Sequence, residues 1–96
     1  MRSSLLAGTH ASRCIDAAFE FPSSARAGRH AARLWFEVDT PLSLSEFGAQ
    51  LFLEHCRGIT DSPRDRATRR SAFRQAFVET VGQIVVEEGR FHALAA

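Results

Sequence analysis

Hydrophobic positions recur at three- and four-residue steps most clearly in the second half of the chain. Leu44, Phe47, Leu51, Phe52, His55 and Cys56 fall on one side of a helical wheel. Ser45, Glu46, Gln50, Glu54 and Arg57 fall on the other. Ahead of this stripe, Ser43 and Glu46 have the spacing of a capping box. The serine hydroxyl accepts the N–H three residues on, and the glutamate reaches back to the serine N–H. Leu42 and Phe47 stand where a hydrophobic staple packs, Gly58 supplies a left-handed stop, and Ile59 can cover the last turn. The pattern predicts a helix over 43–57.

A second start follows at once. Ser62 is placed as N-cap, Pro63 at the first helical position and Asp65 at the third. Phe73, Phe77, Val81, Ile84 and Val85 then form an apolar stripe, and Gly89 is the natural stop. The β-branched residues between Val81 and Val86 leave a short strand pair over 83–94 as the alternative for this end. The short link 58–61 predicts a helical hairpin or corner.

The N-terminal half reads two ways. Ile15, Ala17, Phe19 and Phe21 alternate, as do Leu34, Phe36 and Val38, and the Ser-, Ala- and Gly-rich stretch 22–29 between them suits a hairpin loop. Yet Ala11, Cys14, Ile15, Ala18 and Phe19 also fit a helix, as do Ala27, Ala31, Leu34, Trp35 and Val38. The strand character of 35–40 favours an α+β fold, an N-terminal β-hairpin followed by two packed α-helices. The alternative is an all-α four-helix domain. Residues 1–10 read as a loose tail and 11–96 as a single compact domain.

Composition changes this picture in three places. The chain has twelve basic residues, all arginine, with no lysine, asparagine or tyrosine, which points to a high-GC genome of bacterial or phage type. No apolar run approaches the roughly 20 residues of a membrane span. The Met1–Gly8 stretch also lacks the apolar core of about 7–15 residues that a secretory signal needs, so a cytoplasmic protein is expected. Cys14 and Cys56 are too few for a disulfide scaffold and are expected reduced, with a 14–56 bridge as the lesser alternative. A chain this short buries little more than about 60% of its unfolded surface, so pairing with itself or with a partner is a further expectation.

The net charge of +1 hides blocks of alternating sign. Residues 37–56 carry four acids and no arginine, whereas 57–74 carry six arginines against Asp61 and Asp65. Residues 75–96 carry Glu79, Glu87 and Glu88 against Arg90. Arg66, Arg70 and Arg74 stack at four-residue steps and continue the line of Phe77, Val81 and Glu88. Like charges at that spacing repel by a few tenths of a kcal/mol per pair. Arg64 and Arg66 oppose the helix dipole at the start of the helix, and Glu87 and Glu88 oppose it at the end. Local rules broken in this way mark either function or compensation elsewhere. Compensation would come from the acidic block Glu37, Asp39, Glu46 and Glu54, because arginine favours forked carboxylate pairs.

The functional expectation is a small non-enzymatic interaction or regulatory protein that meets an acidic macromolecular surface through its arginine-rich helix. A phage- or plasmid-encoded modulator, an anti-CRISPR-type inhibitor and an assembly subunit all fit. Its binding residues would be Arg64, Arg66, Arg69, Arg70 and Arg74, with Phe73 and Trp35 as aromatic anchors. The alternative is a nucleic-acid-binding protein that sets the same arginines, with Arg29 and Arg33, against phosphates. His55–Cys56 and His10/Cys14 have no zinc-site spacing, so no metal or other cofactor is expected. No nucleophile elbow, Gly-rich phosphate loop or paired-carboxylate motif is present. Gly48 and Gly82, inside helical segments, point to close helix packing at both places.

Overall fold

The structure, a computed structural model, describes residues 17–95, with side chains to residue 89. A helical turn at 17–20 leads into three helices, α1 (Pro22–Glu37), α2 (Leu44–His55) and α3 (Pro63–Ala95). No strand occurs among the described residues, so the expected β-hairpin is replaced by α1 and the fold is all-α. The loose tail 1–10 lies outside the described residues.

The break before α1 is made by Phe21, which stands before a proline and leaves the helical region at φ −127°, ψ 68°. Pro22 then opens α1, where its missing N–H is no loss. The buried face of α1 consists of Ser24, Ala25, Gly28, Ala31 and Ala32. These are small residues, so the helical contrast comes from the exposed Arg26, Arg29, His30 and Arg33 opposite them rather than from large apolar side chains. The larger residues Leu34, Trp35 and Phe36 gather at the end of the helix, where they imitate a strand. The Trp35 indole N–H donates to the Leu42 carbonyl at 3.3 Å and ties the end of α1 to the approach to α2.

Small residues let α1 and α3 approach closely. Ala25, Gly28 and Ala32 on α1 are buried, as are Ala72 and Ala76 on α3. A Cβ at Gly28 would lie 2.2 Å from the Phe73 carbonyl oxygen, so only glycine fits this crossing. A Cβ at Gly48 on α2 would lie 3.1 Å from the Phe77 ring, in keeping with the packing expected there. Gly82, by contrast, faces nothing within 4 Å.

The capping box at the start of α2 forms as expected. The Glu46 N–H donates to Ser43 Oγ at 3.1 Å, and the Ser43 N–H donates to Glu46 Oε1 at 2.9 Å. Accepting the Ser43 backbone N–H holds the Glu46 carboxyl below its ordinary range. Gly58 takes φ +80° and turns the chain, and the Ile59 N–H closes the turn on the Cys56 carbonyl at 2.9 Å. Ser62 caps α3 by accepting the Asp65 N–H at 3.1 Å. This helix runs through Gly89 to Ala95, so neither the glycine stop nor the strand pair over 83–94 is present. Glycine weakens a helix by about 1 kcal/mol but ends it only by turning left-handed, and no proline follows to force the issue.

Candidate functional site

The core at the meeting of the helices is built from Ala31, Ala32, Phe52, Cys56, Phe73 and Phe77. Phe52 meets Phe73 edge-on at 5.3 Å between ring centroids, and Phe73 stacks on Phe77 at 6.2 Å. Cys56 is buried and free. Cys14 and the other N-terminal positions lie outside the described residues.

The arginines of α3 divide into two groups. Arg66 and Arg69 are held inside the fold by Asp61, a residue of the link rather than of the acidic block 37–56. Arg69 makes a forked pair with Asp61, Nε to Oδ2 at 2.9 Å and Nη2 to Oδ1 at 3.2 Å. Arg66 Nε donates to the same Oδ2 at 3.1 Å, and its Nη2 donates to the Ile59 carbonyl at 2.9 Å. The Asp61 side chain is only 7% exposed, so water screens these pairs weakly. The Arg69 hydrogen bonds hold the Asp61 carboxyl below its ordinary range, and Asp61 in turn raises Arg69. Of the expected acidic block, Glu54 pairs with Arg57 in the turn just after α2.

Arg69 also reaches across the fold. Its Nη1 donates to Ser24 Oγ at 3.2 Å, which leaves the hydroxyl hydrogen for His55 Nε2, 2.8 Å away. Its guanidinium lies 4.3 Å over the Phe21 ring. Desolvation, and then the charge of Arg69, lower the His55 pKa, so the ring stays neutral and accepts from Ser24. The chain Asp61–Arg69–Ser24–His55 therefore joins the link and all three helices. A serine beside a histidine has the outline of a nucleophile and its base. Ser24, however, is 0% exposed and already accepts from Arg69, so no substrate can reach it. The sequence reading missed this knot, since residues 24 and 69 sit far apart in the chain. The one available signal was a serine in an otherwise small, apolar helix face.

Arg70 and Arg74 form the second group. Both are exposed, and among the described residues neither meets an acid. They stand on the rim of a groove of ≈ 540 Å³ between α2 and α3. Phe52, Phe73 and Phe77 floor it, Ser45, Gly48 and Ala49 form a low wall, and Leu53 and Val78 edge it. Leu53 is 65% exposed and Val78 59%, so the rim is apolar as well as basic. The Arg70 guanidinium sits 5.2 Å from the centroid of the Phe52 ring, which lays its stem along the groove.

The expected site residues are thus distributed as follows. Arg70 and Arg74 line the groove and buried Phe73 is its floor. Arg64 is exposed at the start of α3. Arg66 and Arg69 are engaged within the fold, and half-buried Trp35 belongs to the α1–α2 corner. The described residues hold no group of three or more metal-binding side chains, and no helix among them is long and apolar enough to cross a membrane. Comparison with protein-family models, with curated proteins and with solved structures finds no match to this chain.

Proposed function

We propose that this chain is a non-enzymatic binding module whose docking surface is the groove between α2 and α3. The occupant is an acidic, apolar-faced helical segment of a protein. The observation that carries this reading is the pairing of an aromatic floor with two arginines that lack acidic partners among the described residues. An amphipathic helix places apolar side chains into such a groove at i, i+3, i+4 and i+7, while its flanking carboxylates meet the rim. The low wall of Ser45, Gly48 and Ala49 favours close approach of a helix backbone. Regulators, inhibitors and assembly subunits all work by contacts of this kind.

The test uses two labelled synthetic helices with the same leucine stripe, one flanked by glutamate and one by lysine. Fluorescence anisotropy should show the acidic peptide binding and the basic one not. Arg70→Ala, Arg74→Ala and Leu53→Glu should each weaken binding while leaving the fold intact. Equal binding of both peptides, or of neither, would overturn the reading.

A second reading has its own observation. Arg26, Arg29 and Arg33 form an exposed basic stripe on α1, in addition to Arg64, Arg70 and Arg74 on α3. Such a surface suits nucleic-acid phosphates. A labelled duplex whose binding falls by orders of magnitude between about 50 and 200 mM salt would favour this reading over the groove.

A further inference from the structure

The 33 residues of α3 span about 50 Å, whereas the 16 residues of α1 span about 24 Å. The core contacts of α3 lie at Ala72, Phe73, Ala76, Phe77 and Thr80, with half-buried Val81 at their edge. Beyond Val81 the helix carries valines to solvent, with Val85 55% and Val86 59% exposed. Arg74, Val78, Val81, Val85 and Glu88 follow one another at steps of four, three, four and three residues. This is the spacing of a helix–helix seam. The seam is apolar in the middle, basic at its N-terminal end and acidic at its C-terminal end.

A seam with that polarity is complementary to itself in the antiparallel sense. Val81 is its midpoint, with Arg74 seven residues before it and Glu88 seven after. We infer that the chain forms a two-fold dimer through α3, centred on Val81. Each Arg74 then stands opposite the partner's Glu88, Val78 opposite the partner's Ile84 with Val85 one residue on, and Val81 opposite the partner's Val81. The interface is isologous and closes after two copies. It lays the acidic, valine-bearing half of one α3 along the groove of the other, where Arg70, Arg74, Leu53 and Val78 form the rim. The inference rests on the groove reading above and names its occupant as a second copy of this chain. The charge pattern argues for this partner. The arginines between 64 and 74 and the acids Glu79, Glu87 and Glu88 lie on one helix, and only antiparallel pairing brings them together.

Sedimentation equilibrium of the full chain across the micromolar range tests the dimer. The variants are Arg74→Glu, Glu88→Arg and the two combined, with helicity and thermal midpoint checked for each. The wild type should be a dimer. Each single reversal, present twice by symmetry, should weaken dimerisation by about tenfold or more, and the double reversal should restore it. Val85→Arg, at an exposed site off the core, should also give a folded monomer. A dimer indifferent to all these changes would overturn the α3 seam. A wild-type monomer overturns self-pairing, and the acidic-peptide titration then separates the two failures. If the peptide binds, the groove reading stands with another partner; if it does not, both fall. A monomer that dimerises only after removal of residues 1–16 makes that segment the occupant and overturns the inference.

Discussion

Replacing Gly28 by alanine reverses the usual rule for helices. In a helix interior the change should stabilise by about 1 kcal/mol, through propensity alone. Here the new methyl would stand 2.2 Å from the Phe73 carbonyl oxygen, 3.0 Å from its carbon and 3.2 Å from its Cα. All three atoms are backbone, so no rotamer change relieves the contact. The helices must part by about 1 Å, a gap that forfeits a quarter to a half of each dispersion contact at the crossing. Overpacking costs about 1–3 kcal/mol, and a 2.2 Å contact with rigid backbone falls in the upper part, about 2–3, so the net loss after the propensity gain is roughly 1–2 kcal/mol. Gly82→Ala supplies the control, because nothing lies within 4 Å of its Cβ position. That change should stabilise by about 0.5–1 kcal/mol. Urea unfolding followed by far-UV circular dichroism would measure both, with unchanged slopes confirming that stability alone has moved. For a domain of this size each kcal/mol is worth about 4–8 °C in Tm. A Gly28→Ala protein as stable as the wild type, or more so, would refute the close crossing of α1 and α3.

Other substitutions test the polar knot and the turn. Ser24→Ala leaves His55 Nε2 and Arg69 Nη1 without their shared partner, and chemical denaturation should show a loss of about 1–3 kcal/mol. Gly58→Ala places a side chain at φ +80° and should cost about 1–2 kcal/mol by the same measurement. Acid should weaken the fold in two stages. The folded His55 pKa lies below its ordinary value of 6.5, so between the two values only the unfolded chain takes up the proton. Stability therefore falls as pH drops from about 6.5, and thermal melts of His55→Gln should lack this stage. The second stage belongs to Glu46 and Asp61, whose carboxyls sit below their ordinary 4.5 and 3.8. The Asp61 contribution is complete above about pH 3.8, is lost below it, and should be absent from the acid titration of Asp61→Asn, where the Glu46 part remains.

The parts of the fold legible in the sequence are those whose signals are local. The Ser43/Glu46 box, the Ser62 cap and the left-handed Gly58 each involve neighbouring residues, and all are present. α1 was hidden because its buried face is Ser, Ala and Gly, chosen for closeness to α3 rather than for hydrophobicity. Its helical period is present, but it lies in Arg26, Arg29 and Arg33 set against small residues and not in a stripe of large apolar side chains. The strand propensity of the aromatic and branched residues at 34–38 therefore outweighed a helical period made of small residues and arginines. The arginine cluster was visible, but its division was not. Asp61 lies outside the helical repeat, and Ser24 is remote in sequence, so nothing local separates Arg66 and Arg69 from Arg70 and Arg74. Gly89 misled for the opposite reason. It has the composition of a stop without the left-handed geometry that makes one.

The unequal lengths of α1 and α3 also set how the chain exchanges its amide hydrogens. Amides near Arg69 to Thr80 sit beside α1 and the polar knot, and they should open only when the whole domain does. Those after Val81 hang beyond the core and can fray one turn at a time. A single continuous helix should therefore show two protection regimes, with the boundary near Val81. In the two-fold pair that boundary becomes the centre of the interface. The slow-exchanging region would then spread toward the C-terminus as protein concentration rises.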